Sequence, residues 1–182
     1  MSYAWLARRP LTRARAVYGS AAAKNTAQAA IDDVFSHPRD VAILLPEIIK
    51  MRGDMRVHKP TKGTLDVKLL PGGLVDAEFV IHALQLSGKA AVAPQLGEAV
   101  AQLIIAKALP PAFAGACEIL TRLLIILRLM APDCAPPPVP AQKLIAECLG
   151  FDNWPALMAA VENARTIVLK AWEANLGPRD SN

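Results

Sequence analysis

Apolar positions recur at three- and four-residue spacing over most of this chain, and Pro, Gly and Ser punctuate them. Val41, Leu44, Leu45, Ile48, Ile49 and Met55 keep a helical period behind Asp40, a helix N-cap residue, and predict a helix to about Val57. Pro46 inside it predicts a kink or a delayed start. Ser20 caps an earlier helix through about Phe35, stopped at Ser36-His37-Pro38. Tyr3 to Val17 reads as an arm, helical after Pro10. The stretch from His58 to Pro71 is the least helical, with Leu65 to Leu70 read as extended. Gly72-Gly73 then opens a helix over Leu74–Leu86 that Ser87-Gly88 ends. Further helices follow over about Gln95–Ala108, Ala112–Met130, Ala141–Leu149 and Asn153–Leu176. The prolines between 132 and 140 form a stiff connector, and Gly177-Pro178 ends the last helix. No internal repeat is present. The expected fold is all-α, a bundle of six or seven helices around one core.

Composition agrees. Hydrophobic residues make up 53% of the 182, mostly aliphatic, and aromatic residues only 5%, so strand formers are scarce. The net charge of +4 is spread along the chain with no aromatic-rich basic strand, which argues against nucleic-acid binding. Ile119 to Met130 is the most apolar run; it is too short to span a bilayer and holds Arg122 and Arg128, each expected to reach an acid or the surface. No membrane association is expected. Cys117, Cys134 and Cys148 are odd in number and widely spaced, which suits reduced thiols in a cytoplasmic protein. His37 and His58 have no second ligand at metal spacing, so no metal site is expected. The cluster Lys50, Arg52, Arg56, His58, Lys59 and Lys62 reads as a solvated face able to meet an acidic partner.

The helix after Gly72-Gly73 carries two apolar stripes, Ala77, Val80, Ile81 and Leu84 on one side and Val75, Phe79 and Leu86 on the other. Such a helix is buried between neighbours. Its polar stripe of Glu78, His82 and Gln85 then needs hydrogen-bond partners. Gly72-Gly73 itself admits two uses. Its N–H groups can approach a phosphate at the helix start with Lys68 as a point charge, or the glycines can form a tight turn packed on the bundle.

The stretch Asp66-Val67-Lys68-Leu69-Leu70-Pro71-Gly72-Gly73-Leu74-Val75-Asp76-Ala77-Glu78-Phe79 resembles a signature of bacterial glutamine synthetase adenylyltransferases, found in the helical domain after each nucleotidyltransferase domain. Leu11-Thr12-Arg13-Ala14-Arg15 resembles the helix leaving the catalytic domain, and Met51-Arg52-Gly53-Asp54-Met55 with His58-Lys59 resembles the element before the double glycine. Trp172 in the last helix resembles the end of that enzyme. The Val75-Asp76-x-Glu78-Phe79 form is more like the C-terminal, adenylylating half, and speaks against the helical domain of a PII uridylyltransferase. The resemblance implies a parent that moves AMP from ATP, with magnesium, to a glutamine synthetase tyrosine. It also implies three partners: the nucleotidyltransferase domain, glutamine synthetase and a PII-type regulator.

On this reading residues 1–19 are the arm from the absent catalytic domain, 20–177 the helical bundle and 178–182 a disordered tail. Arg13, Arg15, Lys68, Gly72, Gly73, Asp76 and Glu78 are the signature positions that face nucleotide or catalytic domain. Glu78 is expected to be buried at least in part, paired with Arg13 or Arg15. Two departures stand out. Pro10 and Arg8-Arg9 occupy places where helix formers are expected. No Asp-x-Asp or Asp-x-Glu pair lies on a Gly-Ser turn to hold magnesium, so no catalytic residue, cofactor or transferase activity is expected of this chain alone. The rival reading is a free-standing helical interaction module derived from the same family.

Overall fold

The computed structural model describes residues 10–37, 39–89 and 92–178. Seven α-helices fill the described residues: α1 (Ala21–Ser36), α2 (Val41–His58), α3 (Leu74–Leu86), α4 (Leu96–Ile105), α5 (Ala112–Met130), α6 (Val139–Leu149) and α7 (Trp154–Leu176). Among these residues there is no strand, and the all-α expectation holds. Residues 1–9 of the expected arm and 179–182 of the expected tail lie outside the described residues. Of the expected exit helix, a single 3-10 turn over Pro10–Arg13 is present, and residues 14–17 have no regular structure.

The helix ends follow the local chemistry. Ser20, Asp40 and Asn153 accept the N–H groups of Ala23, Ala42 and Ala156, capping α1, α2 and α7. α2 runs on through Pro46, which sits in its second turn. α3 and α6 stop at glycines with positive φ, Gly88 and Gly150. α4 stops at Ile105, short of the expected Ala108. Lys107 (φ 58°) takes the left-handed position there, and Ala108 N–H donates back to the Leu103 carbonyl at 2.9 Å.

α7 is the hub. It packs most extensively on α5, then on α3, and also meets α6. α3 lies in the middle of the bundle and touches α2, α4, α5 and α7. All its residues but Glu78 are buried, as the double apolar stripe requires. Phe79 faces Trp172 of α7 with ring centroids 6.3 Å apart, joining the two central helices.

Arg122 and Arg128 are exposed, as expected; Arg122 lies 3.9 Å from Glu118 and donates to the Cys148 carbonyl at 3.3 Å. No described helix is long and apolar enough to cross a membrane.

Candidate functional site

The loop from Pro60 to Gly73 is not extended, contrary to the reading of Leu65–Leu70. It winds through successive turns, with Asp66 N–H donating to Gly63, and Leu69 and Leu70 N–H donating to the Asp66 carbonyl. Asp66 is the reason. Its buried carboxylate accepts Lys62 N–H at 3.1 Å and Leu69 N–H at 3.0 Å, and so organises the backbone on both sides.

The loop is fastened to the body at three places. Leu65 N–H donates to the Cys134 carbonyl at 2.9 Å, and Gly63 lies so close to that carbonyl that a Cβ would collide with it. Arg165 of α7 donates from Nε to the Pro71 carbonyl at 2.9 Å. Gly72, with φ +74°, lies against the backbone of Arg165, where any side chain would overlap the carbonyl.

The third fastening is Asp76, fully buried in the first turn of α3. Its Oδ1 accepts Arg52 Nε at 2.6 Å and its Oδ2 accepts Gly72 N–H at 2.7 Å. Arg52 of α2 is 5% exposed and also donates to the Leu69 carbonyl at 3.0 Å. One carboxylate and one guanidinium thus tie α2, the loop and α3 together. This corrects the reading of Arg52 as part of a solvated basic face: Lys50, His58, Lys59 and Lys62 are exposed, Arg56 is half-buried and Arg52 is interior.

The double glycine is a tight turn. The N–H groups of Gly73, Leu74 and Val75 are taken by the carbonyls of Leu70, Val67 and Lys68 at 2.8, 3.0 and 3.1 Å. Gly72 N–H is taken by Asp76. A phosphate at this helix start would have to displace those carbonyls and sit against the Asp76 carboxylate, so the phosphate reading is set aside. Lys68 is exposed.

Glu78 is buried in part and pairs with Arg13, as expected, but the pair lies at the surface. Arg13 Nη1 is 3.8 Å from its Oε1, and the side chains are 54% and 30% exposed. The partner is the expected one, but both groups keep contact with solvent. Arg15 is exposed. Beside Glu78 the thiol of Cys117 on α5 is pushed up to about 12, chiefly by burial and further by the Glu78 charge. His82 and Gln85 are buried. Arg52, Asp66 and Arg165 are the residues that sequence reading missed. For Arg52 a signal existed: it continues the buried i, i+4 series Leu44, Ile48.

A groove of about 420 Å³ lies between α4 and α5, lined by Leu96, Gly97, Val100, Ala114, Cys117 and Thr121 among others, and no signature residue lines it. Among the described residues no group of three or more His, Cys, Asp or Glu side chains is placed to hold a metal ion.

Residues 50–174 match the family model described as GlnD PII-uridylyltransferase. The chain belongs to this family. The matched span takes in the loop, its fastenings and α3 through most of α7. Among curated proteins, the chain is 43% identical over 97 residues to a bifunctional glutamine synthetase adenylyltransferase/adenylyl-removing enzyme of Caulobacter vibrioides. Enzymes with the same description from Xanthomonas axonopodis pv. citri and Mesorhizobium japonicum are 44% identical over 91 residues and 34% identical over 106. These alignments cover 51%, 49% and 58% of this chain but only 10% of each relative. No solved structure matches.

Proposed function

We propose that this chain is a non-catalytic helical domain of a glutamine synthetase adenylyltransferase. In this role it supports the nucleotidyltransferase portion as AMP passes from ATP to a glutamine synthetase tyrosine. The observation that carries the reading is the use to which the 66–79 stretch puts its polar groups. Asp66, Asp76 and both glycines are spent inside the chain, on backbone N–H groups, on Arg52 and on close packing against Arg165. A stretch so engaged is a support for whatever rests on it, with Lys68, Glu78 and Arg13 left at its surface.

The family description names a uridylyltransferase, whereas the relatives quoted above are named adenylyltransferases, and the second name is favoured by their 34–44% identity. ATP and magnesium belong to the nucleotidyltransferase portion, glutamine synthetase and a PII-type regulator are the partners of the assembled enzyme, and its compartment is the cytoplasm.

The test is a fusion. This chain replaces the matching segment of the Caulobacter vibrioides relative, and transfer of labelled AMP to glutamine synthetase is followed. We expect transfer by the fusion and none by the 182-residue chain alone. AMP transfer by the chain alone overturns the non-catalytic role. A fusion that transfers nothing to glutamine synthetase but moves UMP from UTP to a PII protein overturns the adenylyl assignment.

A further inference from the structure

Thr12, in the 3-10 turn over Pro10–Arg13, is fully buried, and among the described residues none between it and Leu44 is buried. The next residue, Arg13, brings Nη1 to 3.8 Å from Oε1 of Glu78, the one residue of α3 that is not buried. Residues 14–17 have no regular structure, Gly19 turns the chain with φ +120°, and α1 follows with no buried residue of its own. The turn is thus fastened to the body by a buried threonine and a partly solvated ion pair, and the chain behind it holds nothing fast until α2. Local opening is easiest where few buried apolar contacts are lost. Opening the turn uncovers a threonine and parts two surface charges, whereas opening α3 or α7 uncovers the centre of the core. Salt weakens the attraction of the two charges, because the screening length falls to about 3 Å at 1 M.

We propose that Pro10–Arg13 is a strap that opens while the bundle stays folded, and that the Arg13–Glu78 pair holds it shut, so that a cationic group competing for Glu78 releases it. Open, the strap frees the carboxylate of Glu78 and detaches the chain around Thr12 from the body. The bundle keeps its core in that state, because neither Arg13 nor Glu78 is buried and the Asp76–Arg52 pair that ties α2 to α3 is untouched.

Thiol alkylation tests the proposal. Thr12→Cys, combined with Cys148→Ser, puts a thiol of similar size under the strap, and the buried Cys117 reports on the bundle. Each thiol's rate in the folded chain is divided by its rate in the urea-unfolded chain. On that scale the thiol at position 12 should react at least tenfold faster than Cys117, yet at least tenfold slower than when unfolded. Raising salt from about 0.1 to about 1 M should speed it about two- to fivefold, the range of a surface pair. Glu78→Gln at low salt should speed it equally and abolish the salt effect. Trypsin cleavage after Arg13 reads the same opening with Thr12 in place, since the protease must take that side chain from Glu78; Glu78→Gln should quicken it by a similar factor. Equal normalised rates at position 12 and at Cys117 would mean that the turn opens only with the bundle, and overturn the proposal. So would a thiol at position 12 as reactive as in the unfolded chain, which leaves no strap to open. Alkylation and cleavage that ignore both salt and Glu78→Gln overturn it too, because the ion pair then holds nothing shut.

Discussion

Asp76 and Glu78 stand two residues apart on α3, yet they face different costs. Asp76 is fully buried and bonded to Arg52, which is itself interior, so Asp76→Ala leaves a buried guanidinium uncompensated. Loss of one side of such a pair costs about 3–5 kcal/mol. Glu78 and Arg13 are 3.8 Å apart and partly solvated. A pair of that kind contributes about 0–1 kcal/mol. In urea unfolding, Asp76→Ala should therefore lower the midpoint severely and Glu78→Ala only slightly; equal losses would place the two carboxylates in one network. The sequence made both acids visible but not which one turned inward. The apolar stripes on both sides of Glu78 suggested burial for it, whereas Arg52, the partner that settles the matter, sits a whole helix away and looked like one of several surface cations. The thiols separate in the same way. Cys117 is buried and its pKa is raised from 9.0 to about 12, whereas Cys148 is exposed. A thiol reagent at pH 8 should label Cys148 in the native protein and spare Cys117. Because the folded pKa of Cys117 lies above the unfolded value, the neutral thiol favours the fold below pH 9. That contribution declines as pH rises from 9 toward 12, so urea midpoints should fall over that interval and Cys117→Ala should flatten the fall.

Turns and helix ends show which elements the sequence states openly. α1, α2, α3, α5 and α7 lie within a residue or two of expectation, because Ser20, Asp40 and Asn153 or a glycine marks an end of each but α5, which Pro110-Pro111 precedes. α4 ends early because Lys107 fills the left-handed position where glycine is usual, and nothing in a lysine announces that. The loop at 60–73 departs from the extended expectation for a related reason. Its alternation of Leu, Asp and Val suits a strand, but the Asp66 side chain offers the backbone a competing set of hydrogen bonds that only the folded geometry reveals. The glycines of these elements are not equivalent. Gly72 combines a positive φ with contact to the Arg165 backbone, and a Cβ on Gly73 would come within 2.6 Å of the Val67 carbonyl. Gly115 lies in α5 with nothing within 4 Å of a Cβ. Gly72→Ala should unfold the protein at a much lower urea concentration. Gly115→Ala should raise stability by up to about 1 kcal/mol, the helix-propensity difference between the two residues. A stabilising Gly72→Ala would show that the loop is not held against α7 as described.

At the scale of the molecule, the chain divides by what each helix buries. α7 contributes Leu157, Val161, Ala164, Val168, Ala171, Trp172 and Leu176 to the core and touches three other helices, whereas α1 contributes no buried residue. Stability in a cooperative bundle follows buried apolar area, so the two helices should respond differently to the same insult. Proline within a helix removes a backbone hydrogen bond and clashes with the preceding turn, at a cost of about 3 kcal/mol or more. Placed at Ala27, that cost falls on a helix that can melt alone. The circular dichroism of Ala27→Pro should lose the signal of one short helix while the urea midpoint stays within experimental error of the parent. Placed at Val168, the same residue opens α7 between Ala164 and Trp172 and disrupts the surface against which α3 and α5 pack; Val168→Pro should leave no cooperative transition. A midpoint lowered as much by Ala27→Pro as by a core substitution would mean that α1 belongs to the cooperative unit. Its alanine face would then be covered in the isolated chain.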